Sequence, residues 1–591
     1  MGTITTPPSR ISLSTSLLPS RLVFVMLMSD QSCAHTMLLM VYQAARMSTF
    51  FRRCFGIPGT LLRTTNMSHL TVAQLLISGT NTTSRTLKLA LQPWLSMLAV
   101  SLSLCVHTRA HGTNPGIADI ECGNSYITLN TSLAMNYTTT ARIDQALTRL
   151  YNALFTVGFF DGSSYDYLGW SDVATPAAQT LAYTAAVEGM TLLKNTNNFL
   201  PLSDTGAVLR VAAVGPFANA TTQLQGDYSG TAKYLRSPLS AFQGYNTWDV
   251  VYAVGTGINT NSTSGFSAAL AAASAADVVI YLGGIDNTLE AESHDRTSLA
   301  WPGNQLQLIN QLAAIKPTVV VQFGGGQVDD TPLVNNANVT SIVWAGYPSQ
   351  DGGPALLDIL TGAAAPSGRL PVTQYPAAFV NESSIYDISL RPSNGTTPSP
   401  GRTYRWYTGT PVFPFGFGLH YTNFSTTWQR APKKTYDIQE LVNLHNGPGV
   451  LNDRVPFQTV TVNVRNIGPV TSDFSGLLFI TSSNAGPTPR PIKTLVSYDH
   501  LHAIPVGATD TLELPLTLGS LGRADINGSL VIYPGDYSLL LDVPTRSSWN
   551  FTLTGSAAVI ETLPPVPSGY SSAVPVNIQP PTTEYDPATG Q

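Results

Sequence analysis

The sequence predicts a multidomain α/β chain: an α/β sandwich with a mostly parallel sheet, followed by a β-sandwich. Three observations carry this. Short apolar runs ending in glycine alternate with helical patterns between residues 208 and 360. From about Asp453 the hydrophobic period becomes two. The 591 residues are 43% hydrophobic and 11% charged, enough for several cores and unlike a disordered chain.

Residues 1–118 stand apart from the rest. They hold one acid, Asp30, and nine basic residues, a net of +8; residues 119–591 carry −13, and the two sum to the chain's −5. Eight of the ten methionines fall in the first 97 residues. Cys33, Cys54 and Cys105 precede the break and Cys122 follows it, too few for a disulfide scaffold. The segment 1–118 is expected to be disordered or mistranslated. Its uncharged run 89–106 has the length of a marginal span, but Gln92, Pro93 and three serines argue against one, so no membrane partner is expected. No clear signal peptide opens the chain. The mildly acidic balance implies no nucleic-acid partner.

Helical spacing of Ile143, Leu147, Leu150, Tyr151, Leu154 and Phe155 predicts a helix from about Thr140 to Val157. A second helix starts at the Thr175 cap and Pro176, and the pattern of TAAVEGMTLLKN (184–195) continues it. Buried strands are predicted at 208–216, 277–284, 318–326 and 341–348, with helices at 267–276, 303–315 and around 354–360. Ligand groups in such sheets sit on loops leaving the carboxyl ends of the strands, here 283–296 and 324–330. Alternating strands follow at 457–466, 475–483, 509–518 and 535–543. The tail 563–591 holds seven prolines.

Ten glycosylation sequons follow residue 120: Asn130, Asn136, Asn219, Asn261, Asn338, Asn381, Asn394, Asn423, Asn527 and Asn550. With only seven lysines in the chain, they suggest a secreted glycoprotein.

The densest polar cluster is LEAESHDR (289–296), just after a strand ending in LGGID. One reading is a solvated loop in which Asp295 or Glu292 pairs with Arg296. The other is a carboxyl group acting as general acid while its neighbours grip sugar hydroxyls. One histidine among irregularly spaced carboxylates matches no metal-ligand pattern, so neither metal nor cofactor is expected. The turn GGGQVDD (324–330) lacks the Gly-Lys-Ser/Thr of a phosphate loop. It reads either as a plain turn or as one that brings Gln327 and Asp329 near a ligand or another loop. The aromatics of 403–409 and 412–421 suit either sugar stacking or packing between domains. No G-x-S-x-G nucleophile elbow occurs.

From about residue 117 the chain resembles the fungal secreted β-xylosidases of glycoside hydrolase family 3. The likeness rests on GIADIECGNSY (116–126), RLYNALFTVGFFDG (149–162), LGWSDVAT (168–175), AAVEGMTLLKN (185–195), GGIDNTLEAESHDR (283–296), AWPGNQL (300–306), QFGGGQVDD (322–330), WAGYPSQDGG (344–353), PSGRLPVTQYP (366–376) and TYRWYTGTPVFPFGFGLHY (403–421). It implies that 119–165 is the remnant of the last strand and helix of a (β/α)8 barrel and 166–179 a linker. The α/β sandwich is then 180–430, and a fibronectin type III-like domain is 440–556.

The resemblance also implies release of terminal xylose from xylooligosaccharides in xylan degradation by a retaining two-carboxylate mechanism. Glu292 matches the acid/base by its place ahead of Asp295 and Arg296, with Glu290 the alternative. Asp295 and Arg296 would bind substrate. The family's nucleophile lies in a Ser-Asp-Cys or Ser-Asp-Trp motif that this sequence does not contain, and its Lys-His substrate motif is also absent. This chain is therefore expected to be truncated, or wrongly translated, ahead of residue 119. The nucleophile aspartate would then be missing. A catalytically inactive secreted carbohydrate-binding glycoprotein is the alternative.

Overall fold

The structure is a computed structural model. It describes residues 129–562, apart from 137, 163–164, 203–205, 293, 395–397 and 445–451. The expectations for 1–118, for the barrel strand within 119–128 and for the tail from 563 lie outside these residues. The chain divides into two compact units, Met1–Thr175 and Pro176–Gln591.

In the first unit, α1 (Leu129–Ala134) precedes α2 (Thr140–Thr156). Thr139 caps α2 by accepting from the Arg142 amide at 3.2 Å. The helix forms where the periodicity predicts.

The second unit opens with α3 (Pro176–Gly189). Here expectation and structure part. Residues 191–195 do not prolong the helix; they form strand β1 (Thr191–Asn195). β1 pairs antiparallel with β6 (Val339–Gly346), burying Leu192 and Leu193. The ladder supplies partners for the backbone that local helix propensity cannot outweigh. The helix begins at Pro176, where the Thr175–Pro176 signal predicts it, and so inside the stretch 166–179 expected to be a linker.

The sheet runs β1-β6-β5-β4-β2-β3, parallel except for β1. Its other strands are β2 (Leu209–Val214), β3 (Trp248–Ala253), β4 (Val278–Gly284) and β5 (Thr318–Phe323). Strand β3 has no counterpart among the expected strands. The continuous apolar runs arise because both faces are covered. On β4, Val278, Ile280 and Leu282 face a core shared with α7 (Gly352–Thr361) and α4 (Pro238–Gln243). Val279 and Tyr281 face the opposite core, filled from α5 (Phe266–Ala275) and α6 (Gln305–Ala313).

The C-terminal part is a β-sandwich. One sheet runs β11 (Thr494–Ile504), β10 (Ser472–Thr481), β15 (Gly535–Leu541), β16 (Ser547–Thr554), β8 (Thr435–Asp437). The other is β12 (Thr509–Thr517), β9 (Pro456–Asn466), β7 (Phe424–Arg430). A small third sheet holds β13 (Arg523–Ala524), β14 (Leu530–Ile532) and β17 (Ala558–Glu561). Val460, Val462 and Val464 meet Phe474, Leu478 and Leu539 between the two main sheets. Because β7 pairs with β9, residues 424–430 belong to this sandwich and not to the α/β layer, and β17 carries it past 556.

The α/β layer and the sandwich meet through a buried ion pair. Arg369 Nη2 lies 3.0 Å from Asp542 Oδ2, and both side chains are almost fully buried. Tyr404 stacks on Phe415 at 4.4 Å, and both rings abut Phe479 of β10. Of the two readings for the aromatic segments, packing between domains accounts for these rings.

Candidate active site

Four loops converge at the carboxyl ends of β2, β4, β5 and β6, bringing together Asp227 and Tyr228, the acidic loop, the GGG turn and Tyr347. The strand end of β4 is fixed first. Gln305 of α6 accepts from the Gly284 amide at 3.0 Å and donates to the Gly284 carbonyl at 2.8 Å. Gly284 has φ +129°, and a Cβ there would collide with the Phe323 carbonyl. Asp286 then turns the chain, accepting from the Thr288 amide at 3.0 Å.

Glu290 points inward. Its Oε1 accepts from the amides of Gly325 at 2.9 Å and Gly326 at 2.8 Å, and from the Tyr347 hydroxyl at 3.3 Å. Its Oε2 lies 3.4 Å from Arg296 Nη2. Arg296 also donates to the Gln327 carbonyl at 2.9 Å and is largely buried. So the arginine of the cluster pairs with Glu290, rather than with Asp295 or Glu292. Burial, and next the charge of Glu290, hold the Tyr347 hydroxyl well above the usual phenol range.

Glu292 points outward. Ala291 and His294 exchange backbone hydrogen bonds of 3.3 and 3.0 Å, so Glu292 lies at a tight hairpin tip. The Glu292 amide donates to Asp227 Oδ2 at 3.1 Å. Its exposed carboxylate accepts from the Tyr228 hydroxyl. His294 and Asp295 are exposed on the same hairpin. A carboxyl group at such a tip is open to solvent. Glu290 is held in the turn by two amides and Arg296.

The GGG turn is structural in its contacts. Gln327 accepts from the Tyr375 amide, and Asp329 Oδ2 accepts from the Ala377 amide at 2.8 Å. These residues therefore bridge to another loop. Behind them Asp330 is fully buried, with Trp301 Nε1 and Gln374 Nε2 donating to it at 3.0 and 2.8 Å. Burial pushes its carboxyl up to about 7, against the pull of those two hydrogen bonds and with a smaller push from Asp329.

The sequence pointed to the acidic loop but not to Asp227, Tyr228 or Tyr347. They lie more than fifty residues away on either side, and no spacing rule links them. All ten sequon asparagines are exposed. No helix among the described residues is long and apolar enough to cross a membrane.

Residues 190–421 match the glycosyl hydrolase family 3 C-terminal domain. A probable exo-1,4-β-xylosidase of Aspergillus terreus is 49% identical over 478 residues, covering 79% of this chain and 59% of that protein. One from Aspergillus fumigatus is 52% identical over 436 residues, covering 72% and 55%. Among solved structures, a family 3 exo-β-xylosidase in complex with a xylobiose aziridine activity-based probe is 43% identical with TM-score 0.70, over 76% of this chain and 58% of that one. A β-glucosidase from Listeria innocua, 21% identical with TM-score 0.57, shares the fold. The chain thus spans somewhat over half the length of the relatives it matches.

Proposed function

The chain belongs to glycoside hydrolase family 3, and on that premise we propose that it carries the acid/base half of a retaining β-xylosidase, with Glu292 as the acid/base. The supporting observation is the opposite placement of the two candidate carboxylates. Glu290 is tied to two amides, a tyrosine and an arginine; Glu292 stands exposed at a hairpin tip. In this role Glu292 protonates the glycosidic oxygen as the bond to xylose breaks, then takes a proton from the water that frees the sugar. Asp295, exposed beside it, contacts sugar hydroxyls. Arg296 lines the same site while holding Glu290. The substrate is a xylooligosaccharide or another xylan fragment. The helices of 129–156 are the end of a barrel, and the β-sandwich is the fibronectin type III-like domain.

Retention needs a second carboxylate about 5–5.5 Å from the first. The sequence contains no Ser-Asp-Cys or Ser-Asp-Trp motif to supply it. The 591-residue chain is therefore proposed to lack turnover by itself. That same observation favours the second reading, an inactive carbohydrate-binding protein. The ten exposed sequon asparagines support export as a glycoprotein in both.

The test has two arms. The chain alone is assayed on an aryl β-xyloside, with no turnover expected. A chimera then places the N-terminal part of the Aspergillus terreus relative ahead of residue 119. Turnover is expected there, falling about 10²–10⁴-fold in Glu292→Gln. Turnover that survives Glu292→Gln would remove Glu292 from the role. A folded but inactive chimera that binds xylooligosaccharides would favour the second reading.

A further inference from the structure

A second polar cluster lies where α3 meets the β-sandwich. His500 and His502 are two residues apart on β11 and so share one face of the strand. Asp473 comes from β10, where the pairing with β11 slips between Ser472 and Phe474. Glu188 is the last residue but one of α3. His500 Nε2 is 3.2 Å from Asp473 Oδ2 and 3.9 Å from Glu188 Oε1. His502 Nδ1 is 3.4 Å from Glu188 Oε1 and 3.5 Å from Asp473 Oδ2. All four atoms lie within 4.8 Å of one another. Ligand atoms about 2.0–2.1 Å from a tetrahedral ion are separated by about 3.3–3.4 Å, so these separations are close to the edges of one tetrahedron.

The surrounding hydrogen bonds turn the candidate ligand atoms inward. Ser475 Oγ donates to the Ser367 carbonyl at 2.8 Å, so it accepts from His500 Nδ1, also at 2.8 Å. That network puts a proton on Nδ1 and turns Nε2 toward Asp473. Asp473 Oδ1 is taken by the Ala503 amide at 2.6 Å, so Oδ2 alone faces the histidines. Ala503 holds φ +48° to make that contact, an uncommon conformation for a residue with a Cβ. The His502 side chain is 66% exposed and provides an entry path.

We propose that Glu188, Asp473, His500 and His502 bind one divalent zinc-type ion that staples the end of α3 to the β-sandwich. The donor set of two imidazoles and two carboxylates suits Zn²⁺. The outer contacts from Ser475 and Ala503 are of the kind that orient metal ligands. No spacing rule linked these residues, because Glu188 stands some 285 to 314 positions before the other three. The site is formed by different elements from the acidic loop and does not depend on the proposed hydrolase activity.

The experiment uses the full chain without a histidine tag. After EDTA treatment and dialysis against Zn²⁺, mass spectrometry of bound metal is expected to find one ion per chain, with a raised Tm because only the folded state holds the site. Co²⁺ in its place is expected to give the intense visible band of tetrahedral coordination. His502→Ala, at a mostly exposed position, and Asp473→Asn, which keeps the acceptor for Ala503, should fold as judged by circular dichroism and lose the ion. Glu292→Gln should keep it. Failure to bind stoichiometric zinc would reduce the cluster to histidine–carboxylate ion pairs and overturn the proposal. So would zinc that persists in His502→Ala.

Discussion

Gly326 donates its amide to Glu290 Oε1 at 2.8 Å, and a Cβ at position 326 would collide with Oε2 of the same carboxyl and with Arg296. An alanine at 326 would therefore have to displace the Glu290 carboxyl or the Arg296 guanidinium from the turn they hold. One glutamate of the cluster is consumed in building the loop, while the other stands exposed at its tip beside Tyr228.

That division of labour predicts unequal effects on stability. Glu290→Ala strands two amides and a largely buried arginine and should cost about 1–3 kcal/mol. Gly326→Ala should act in the same direction. Glu292→Gln keeps an acceptor for Tyr228 and should change stability by less than about 0.5 kcal/mol. Thermal melts of the three variants check this. Equal losses at 290 and 292 would remove the distinction between anchor and tip.

The Arg369–Asp542 pair predicts how the two layers of the second unit hold together. Asp542 also accepts from Arg546 at 2.7 Å, and Arg369 donates to the Ser475 carbonyl at 3.1 and 3.0 Å. Asp542→Ala leaves Arg369 buried without its counter-charge, at an expected cost of about 3–5 kcal/mol. Calorimetry should show a lower Tm, with the α/β layer and the sandwich unfolding separately. A melt indistinguishable from the parent would mean that the aromatic contacts of Tyr404, Phe415 and Phe479 suffice.

Asp330 predicts a pH dependence. Its folded value of about 7 exceeds the ordinary 3.8, so the folded chain binds this proton more tightly than the unfolded chain does. The contribution favours the fold below about pH 4 and is lost as pH rises through about 7, a linkage worth up to roughly 4 kcal/mol. Asp330→Asn carries no charge, and Gln374, whose Oε1 has no partner, can flip to meet the new amide. The stability of the parent relative to the variant should fall steadily between about pH 4 and 8. A constant difference across that range would show that Asp330 does not titrate there.

Much of the fold was legible in the sequence for identifiable reasons. Strands β4 and β5 are buried on both faces, so VVIYLGG and TVVVQF read as unbroken apolar runs. β9 and β12 have one face in the core and one turned away, so they alternate. Strand β3 went unread because it is a half-exposed edge paired only with β2. TLLKN was misread because Leu and Lys suit a helix. Its strand exists only through pairing with β6, some 150 residues later.

The functional region divides in the same way. By itself the sequence determined the family likeness, the acidic loop and the two glutamates between which the proposed acid/base role had to be decided. Two glutamates two positions apart in a loop have no direction until that loop is folded. Only the tertiary structure decided that Glu290 turns in to the amides of Gly325 and Gly326 while Glu292 rides outward beside Tyr228. It also brought Glu188 to Asp473, His500 and His502. Local periodicity records which face of an element is buried; contacts between distant segments arise only when the sheets and helices pack.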